Sequence, residues 1–242
     1  AAWYDSDKGC VSLIYRAAGD DDEHYVYLGL ATSKNGCDFI RQNGRPIVSP
    51  IKDANVGCIE DPRIVKMDGV YYITFAFRPF APGKYWIPIN ERRYNPPILN
   101  NSYPRFLREN LSGTGLLISS DLNKFIYAGM LTNPLFDDRD VIIFPEKIKG
   151  KYVTLHRPME WCGQPYGTDY PAIWLAFSDD LLGWKDLKLL AKGKYQWEQK
   201  IGGSAPPIKT KDGWLVLYHA VGADKLYRIG AMLLDLENPM RI

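Results

Sequence analysis

The segment with the clearest potential for chemistry places two acids and an arginine around a proline. It reads Cys58-Ile59-Glu60-Asp61-Pro62-Arg63 and directly precedes a β-rich run, IVKMDGVYYITF. Carboxylates can act as acids or bases in catalysis. The ordinary role of an aspartate beside a proline is to cap a turn or a strand end. On the residues alone, the capping role is favoured for Asp61 over the catalytic one.

Cationic side chains recur at matching places along the chain. Arg16, Arg157 and His219 end strand-like runs, and Arg139 and Lys200 lie in segments that lead into such runs. A lone arginine or histidine is more often a surface or hydrogen-bonding residue than a catalytic one. The recurrence favours a functional role for these residues, because converging strands would place one acid and several cations at a single pocket.

The two other histidines are predicted to lie outside that pocket. His156 precedes Arg157 on the same strand, and side chains alternate between the two faces of a strand. We therefore assign Arg157 to the pocket and His156 to the opposite face. His24 lies in the acidic segment DDDEH and is interpreted as a surface residue.

A repeated unit indicates which elements position these residues. Four segments share a glycine-ended turn and a following β-rich run: SDKGCVSLIYRA, KMDGVYYITFAF, KIKGKYVTLHRP and TKDGWLVLYHAV. We expect a tight hairpin with positive φ at each of these glycines. They are Gly9, Gly69, Gly150 and Gly213.

A second strand follows most copies, in YVYLGLATSKNGCDF, TGLLISSDLNKF, AIWLAFSDDLLGW and YRIGAMLLDLENP. The repeat is therefore a four-stranded sheet that recurs every few tens of residues, which is typical of β-propeller blades. Helical periodicity is weak throughout. The sequence predicts an all-β propeller, and a β-sandwich, which does not require such self-similarity, is the alternative.

Composition narrows the classes of partner. The chain has 242 residues, 46% hydrophobic and 24% charged, and a net charge of +2. This balance fits one domain over residues 1–242, and it gives no strong field for nucleic acid or a membrane surface. No apolar run is long enough to span a bilayer. The four scattered cysteines favour reduced, packed thiols. We expect a cytoplasmic protein with a small-molecule partner; a homo-oligomer is compatible with the sequence.

The repeat is interrupted between its second and third β-runs. Residues 78–112 are rich in proline, asparagine, aromatic and basic residues and are predicted to form an inserted loop. Such a loop can cover a cleft or mediate subunit contacts, and the alternative is a packed surface excursion. We favour a functional loop.

Several long motifs in order resemble glycoside hydrolase family 130: CIEDPRIVKMDGVYYITF, DVIIFPEKIKGKYVTLHRP, IGGSAPPIKTKDGWLVLYHAV and YRIGAMLLDLENP. The resemblance spans nearly the whole chain. It implies a five-bladed β-propeller that acts on β-mannosides. Most characterised members of that family are phosphorylases, which cleave the mannosidic bond with inorganic phosphate and release α-mannose 1-phosphate with inversion.

The resemblance also implies roles for individual residues. It maps the catalytic acid onto Asp61, and a grip on the mannosyl unit onto Arg16. An inverting phosphorylase needs one protein acid, because phosphate replaces the water and base of an inverting hydrolase. The implied phosphate ligands are Arg139, Arg157, Lys200, His219 and Tyr227. Arginine suits this task because its fork donates two parallel hydrogen bonds to phosphate. No metal and no further cofactor is implied.

The number of blades and the type of activity allow other interpretations. The resemblance implies a further, C-terminal blade, so four of five blades are visible and the chain is expected to be truncated at both ends. A β-mannosidase of the same fold and a non-catalytic propeller that binds glycans or a protein are the alternatives. The acceptor sugar and the linkage, β-1,4 or β-1,2, depend on loops such as the 78–112 insertion.

Overall fold

The computed structural model describes residues 1–42, 44–50 and 56–242. Its strands form four antiparallel sheets that follow one another along the chain. The first sheet contains β1 to β4, at Ala2–Asp5, Cys10–Ala18, Val26–Ser33 and Ile40–Arg41. The second contains β5 to β8, at Cys58–Met67, Val70–Arg78, Gly113–Ser119 and Ile126–Met130.

The third sheet contains β9 to β12, at Asp138–Ile143, Tyr152–Pro158, Ile173–Ser178 and Lys185–Ala191. The fourth contains β13 to β16, at Lys200–Gly203, Ile208–Lys209, Trp214–Val221 and Tyr227–Leu234. The first strands of consecutive sheets contact one another, β1 with β5, β5 with β9 and β9 with β13. The sheets are therefore arranged as in a propeller, and the predicted all-β architecture is confirmed.

The fourth sheet differs from the predicted four-stranded unit. β16 pairs with β15 along its whole length, whereas β13 and β14 pair with its C-terminal and N-terminal ends, respectively. Because β16 occupies one edge of β15, β13 and β14 are two halves of one interrupted strand on the other edge. This sheet is only three strands wide in the part of the chain that the structure describes.

Glycine is required at the hairpin positions for two different reasons. Gly69 has φ of 80° and leads from β5 into β6, as predicted for a tight turn. Gly213 has φ of 157°, and a Cβ there would lie 2.4 Å from the carbonyl oxygen of Leu234. Gly213 is thus required mainly because the backbone of β16 passes so close.

Three apolar clusters fill the spaces between neighbouring sheets. The first two sheets enclose a cluster that includes Ile14, Ile59 and Phe75. Val65 and Val141 belong to the cluster between the second and third sheets. A third cluster joins the last two sheets and includes Leu155, Ile201 and Trp214. Burial of large side chains at each interface is the main stabilising contribution and fixes the sheets relative to one another.

The inserted loop lies between the end of β6 and the start of β7. It contains a 3₁₀ turn at Ile89–Glu91 and a single helical turn, α1, at Arg105–Arg108. The Gly83 amide donates to the Glu23 carbonyl (2.9 Å), and Arg105 forms a two-pronged ion pair with Glu160 (2.9 and 2.6 Å). The insertion is therefore anchored to loops of both the first and the third sheets.

Two further properties bear on the sequence predictions. All four cysteines are free, and Cys58 is buried as expected, but Cys37 is exposed because it lies in the turn before β4. Among the described residues, no helix has the length and apolar character needed to cross a membrane.

Candidate active site

Asp61 lies at a β-bulge that turns its side chain out of the β5–β6 ladder. Pairing shifts between Glu60, opposite Ala76, and Arg63, opposite Thr74, so that two residues of β5 face one of β6. Asp61 adopts φ of 51°, a left-handed conformation that aspartate tolerates better than most residues. Because Pro62 has no backbone N–H, it leaves no unpaired hydrogen-bond donor at the bulge.

The third sheet contains the same bulge. Pairing shifts between Arg139, opposite Arg157, and Ile142, opposite Leu155. Asp140 takes the place of Asp61 and has nearly the same φ, 52°. The two innermost strands thus present equivalent aspartates, one in each sheet.

Asp61 and Glu60 are joined by Arg16. The Arg16 Nη1 atom donates to Asp61 Oδ1 at 2.8 Å and to Glu60 Oε2 at 2.9 Å. Arg16 and Asp61 side chains are 54% and 45% exposed, which leaves both accessible to a ligand. The structure therefore places the predicted acid beside the residue predicted to bind the sugar.

Asp140 lies within a group of cations. Its Oδ2 atom is 3.1 Å from Arg157 Nη1 and 3.3 Å from His219 Nε2, and its Oδ1 atom is 3.8 Å from Arg63 Nη2. Arg157 Nη1 and His219 Nε2 are themselves 3.2 Å apart. Burial disfavours the charge of the Asp140 carboxyl, but the positive charge of Arg157 and the proximity of His219 outweigh it and lower its pKa.

Arg63 connects this group with the acid. Its Nη1 atom donates to the backbone carbonyl of Asp61 at 2.8 Å, while its Nη2 atom faces Asp140. The exposed aspartate and the buried cation group therefore lie on either side of one guanidinium.

Arg139 is held by a different carboxylate. Its Nε and Nη2 atoms donate to the two oxygens of Asp137, both at 2.6 Å. Burial opposes the charge, yet the hydrogen bonds and charge of Asp137, with further contributions from Glu60 and Asp140, raise the pKa of Arg139. This pair leaves one guanidinium edge, including Nη1, for other partners.

Tyr227 lies beside His219, and Lys200 lies beside Tyr227. The Tyr227 ring centroid is 5.8 Å from the His219 ring, and Lys200 Nζ is 5.5 Å from the Tyr227 centroid. These residues come from β13, β15 and β16 of the fourth sheet. They continue the line of cationic and polar groups that begins at Arg157.

A cavity of about 680 Å³ opens beside Arg16. Glu60, Arg78 and Arg139 form part of its wall, and the insertion contributes another part through Tyr85 and Asn110. Of the seven residues predicted for the site, two line this cavity, Arg16 and Arg139. Asp61 is in contact with Arg16, whereas Arg157 and His219 lie in the group around Asp140.

Sequence reasoning missed several residues of this region. The carboxylates Glu60, Asp137 and Asp140 and the guanidinium of Arg63 all contact predicted site residues. Alignment of IEDPR with DRDVI would have identified Asp140, because both motifs place an aspartate at the bulge.

The two other histidines have different environments. His24, interpreted as a surface residue, lines the cavity and packs edge-on against Trp86 of the insertion with centroids 4.7 Å apart. His24 lies in the cavity wall because the insertion folds over the DDDEH segment. His156 is buried and bonded to Asp138 and Thr154, each at 2.8 Å, away from Arg157 as alternation predicted.

Within the described ranges, no group of three or more histidine, cysteine, aspartate or glutamate side chains is arranged to hold a metal ion. The residues present can transfer protons through their carboxylates and bind an anion through guanidinium, ammonium and imidazole groups.

Comparison with known proteins places this chain in a family. The family model described as beta-1,4-mannooligosaccharide phosphorylase matches residues 121–242. A 1,2-beta-oligomannan phosphorylase of a Thermoanaerobacter species is 37% identical over 245 residues, which cover 98% of this chain and 69% of that protein. A beta-1,2-mannobiose phosphorylase of Listeria innocua is 30% identical over 217 residues, which cover 88% of this chain and 50% of that protein.

The fold agrees with that relationship. The solved structure of the Listeria innocua beta-1,2-mannobiose phosphorylase in complex with beta-1,2-mannobiose superposes with a TM-score of 0.73 at 24% identity, over 99% of this chain and 72% of that chain. The chain spans about half to two thirds of the length of the curated relatives it matches. On the family match and the identity to these relatives, the chain belongs to glycoside hydrolase family 130.

Proposed function

We propose that this protein contributes the active site of an inverting β-mannoside phosphorylase. The substrates are a β-mannoside and inorganic phosphate, and the products are α-D-mannose 1-phosphate and a sugar shortened by one unit. The protein is thus an enzyme that transfers a glycosyl group to phosphate, without a metal or organic cofactor. The phosphorylase activities of its relatives support this proposal over hydrolysis.

The observation that carries the proposal is the adjacency of an exposed carboxylate and a group of cations. Asp61 and Asp140 lie on the two sides of Arg63, and the second of them is surrounded by Arg157 and His219. A phosphorolytic site needs these two components next to each other, because the anion must reach the carbon whose leaving oxygen receives the proton.

In this mechanism a phosphate oxygen attacks the anomeric carbon from the face opposite the glycosidic oxygen. The bond from the anomeric carbon to that oxygen breaks, and the oxygen takes a proton from Asp61. Arg16 binds the mannosyl unit, and in doing so it releases Asp61, which it holds at 2.8 Å in the present structure. The proton lost by Asp61 is replaced from solvent, which its exposure permits.

Phosphate is assigned to the cations and their neighbours, Arg139, Arg157, Lys200, His219 and Tyr227. Arg139 and Arg157 offer guanidinium edges, and His219 and Tyr227 offer single donors. We also propose that the enzyme has a fifth blade and further residues that contact the sugar.

Synthesis in the reverse direction tests the proposal. The protein is incubated with α-mannose 1-phosphate and a panel of acceptors, namely glucose, mannose and N-acetylglucosamine, and released phosphate is measured. Release that requires one of the acceptors supports phosphorolysis, and the product linkage distinguishes β-1,2 from β-1,4 transfer. No release with any acceptor, or release of free mannose from a β-mannoside without phosphate, contradicts it.

A further inference from the structure

The insertion brings exposed aromatic side chains to the wall of the cavity beside Arg16. Tyr85 is 66% exposed and lines the cavity, and its neighbour Trp86 is 56% exposed. His24 lines the same cavity and packs against Trp86. Large aromatic side chains that remain in solvent next to a cavity are typical of ligand sites, because a ligand covers them on binding. The proposed reaction chemistry uses none of these three side chains, which makes them candidates for binding a part of the substrate away from the scissile bond.

The three rings support one another. The Trp86 ring centroid lies 5.1 Å from that of Tyr85, with the planes at 83°, and 4.7 Å from that of His24, with the planes at 82°. Edge-to-face contacts of this kind are favourable because the edge of one ring is positive and the face of the other is negative. Trp86 thus joins Tyr85 of the insertion to His24 of the β2–β3 loop. We call these three residues the aromatic wall.

The turn that carries Tyr85 is fixed by polar contacts. The Tyr85 N–H donates to the Gly83 carbonyl at 3.0 Å, and Arg92 Nη2 donates to the Tyr85 carbonyl at 2.7 Å. The Lys84 side chain, only 17% exposed, donates to the Asp20 carbonyl at 2.8 Å and pairs with the Asp20 carboxylate at 3.1 Å. The aromatic wall is therefore held in place before a ligand arrives, so binding requires little ordering of this loop.

His24 has an unusual backbone conformation. Its φ is 55°, in the left-handed region that residues other than glycine seldom adopt. The Asp21 carbonyl accepts from the His24 N–H at 3.2 Å, and the Asp21 carboxylate accepts from the Tyr25 N–H at 3.0 Å. Strained backbone persists where the surrounding structure fixes it, and it concentrates at ligand sites. Among the described residues, none hydrogen-bonds to the imidazole of His24, so a ring nitrogen can meet a ligand hydroxyl.

Inversion determines on which side of the mannosyl unit the second sugar lies. In an inverting displacement the attacking group and the departing oxygen are on opposite faces of the anomeric carbon. The proposed phosphate ligands Arg157 and His219 belong to the third and fourth sheets, whereas Arg16 belongs to β2 of the first sheet. The departing sugar therefore extends toward the first sheet, where Ala18, Val26 and the aromatic wall line the cavity.

We propose that the aromatic wall binds the sugar on the leaving side of the scissile bond, with a C–H face of that sugar stacked on the Tyr85 ring. This inference rests on the proposed function. The face of an aromatic ring is negative and attracts the weakly positive C–H groups of a pyranose, while His24 offers a ring nitrogen to a hydroxyl group. The ligand of the aromatic wall is thus a second pyranose ring. A mannobiose or a longer β-mannoside supplies that ring, and a simple alkyl β-mannoside lacks it.

The first measurement is binding without turnover. Isothermal titration calorimetry in phosphate-free buffer, in which a phosphorylase does not turn over, gives the Kd of β-1,2-mannobiose, β-1,4-mannobiose and methyl β-mannoside. In Tyr85→Ala we expect the Kd of the better-bound mannobiose to rise about fivefold, the effect of one lost ring contact, and that of methyl β-mannoside to stay within about twofold. Tyr85→Phe keeps the ring and should bind all three ligands like wild type.

Tyr103→Ala is the matched control. Tyr103 lies in the same insertion, is 47% exposed, and has its carbonyl held by Arg108 at 3.1 Å, but it is not among the described residues that line the cavity. This variant should keep the wild-type Kd for each ligand. Because both tyrosines are well exposed, the melting temperatures of Tyr85→Ala and Tyr103→Ala should stay within about 2 °C of wild type.

The second measurement is the kinetics of synthesis from α-mannose 1-phosphate and the preferred acceptor. Tyr85→Ala should raise the KM for the acceptor about fivefold and leave the KM for α-mannose 1-phosphate within about twofold, because only the acceptor lies on the leaving side. Loss of folded enzyme alone would lower kcat and leave both KM values unchanged.

The inference is overturned if neither mannobiose binds the wild-type protein more tightly than methyl β-mannoside does, or if Tyr103→Ala weakens binding as much as Tyr85→Ala. Phosphorolysis together with an unchanged Kd and an unchanged acceptor KM in Tyr85→Ala would refute this inference and leave the proposed function intact. Binding of a mannobiose that depends on Tyr85, in a protein that carries out no phosphorolysis, would support the aromatic wall as a sugar site and refute the proposed function.

Discussion

Replacing Asp61 with asparagine removes the proposed proton donor while it keeps the size of the side chain. General acid catalysis contributes roughly 10²- to 10⁴-fold to rate, so kcat for phosphorolysis should fall by about that factor. The structure predicts little effect on folding. The Arg16–Asp61 pair is 54% and 45% exposed, and such pairs contribute about 0–1 kcal/mol. The melting temperature should therefore fall by no more than about 4 °C.

The assay is release of α-mannose 1-phosphate from a β-mannoside at saturating phosphate, with thermal unfolding measured on the same samples. Glu60→Gln is the matched comparison, because Glu60 also accepts from Arg16, at 2.9 Å, and is the neighbouring residue. We expect Glu60→Gln to lose less than about tenfold in kcat, well below the general-acid contribution. An equal loss in both variants, or a loss of less than about tenfold in Asp61→Asn, would refute the role of Asp61 as the acid.

Three further outcomes are expected. Arg157→Lys should raise the KM for phosphate about tenfold or more, since an ammonium cannot supply the planar fork of donors, and an unchanged KM in steady-state kinetics would contradict this. The pKa of Asp140 is lower in the folded than in the unfolded protein, so this carboxyl stabilises the fold above its unfolded pKa of about 4, and the stabilisation is lost as the pH falls through the folded value. The melting temperature of Asp140→Asn should therefore depend less on pH below about 4 than that of wild type. Equal pH dependence in both proteins would exclude this contribution. Arg105→Ala should change the melting temperature by less than about 4 °C, because the Arg105–Glu160 pair is partly exposed. The same variant should be cleaved faster by proteases within residues 79–112. Equal cleavage rates in the variant and the wild type would show that this pair does not anchor the insertion.

Local patterns allowed much of the fold to be predicted. Hairpin glycines and period-two runs are properties of neighbouring residues, so the four sheets and the opposite faces of His156 and Arg157 could be read from the sequence. The interruption between β13 and β14 could not, because it depends on which ends of β15 each segment meets.

The site was only partly predictable. Resemblance to the family identified Asp61, Arg157 and His219 as candidates, but not the buried carboxylate between the last two. Asp140 reaches them only because a register shift in β9 gives it a left-handed backbone, and register shifts leave a weak signal in one sequence. The position of His24 depends on packing of a distant insertion, which no local pattern encodes.

The fate of the anomeric carbon distinguishes phosphorolysis from hydrolysis. A β-mannobiose is incubated with the protein in the presence and absence of inorganic phosphate, and the products are identified by ¹H and ³¹P NMR. We expect α-mannose 1-phosphate and mannose in equal amounts when phosphate is present, and no cleavage when it is absent. Two equivalents of free mannose, formed at the same rate without phosphate, would contradict it.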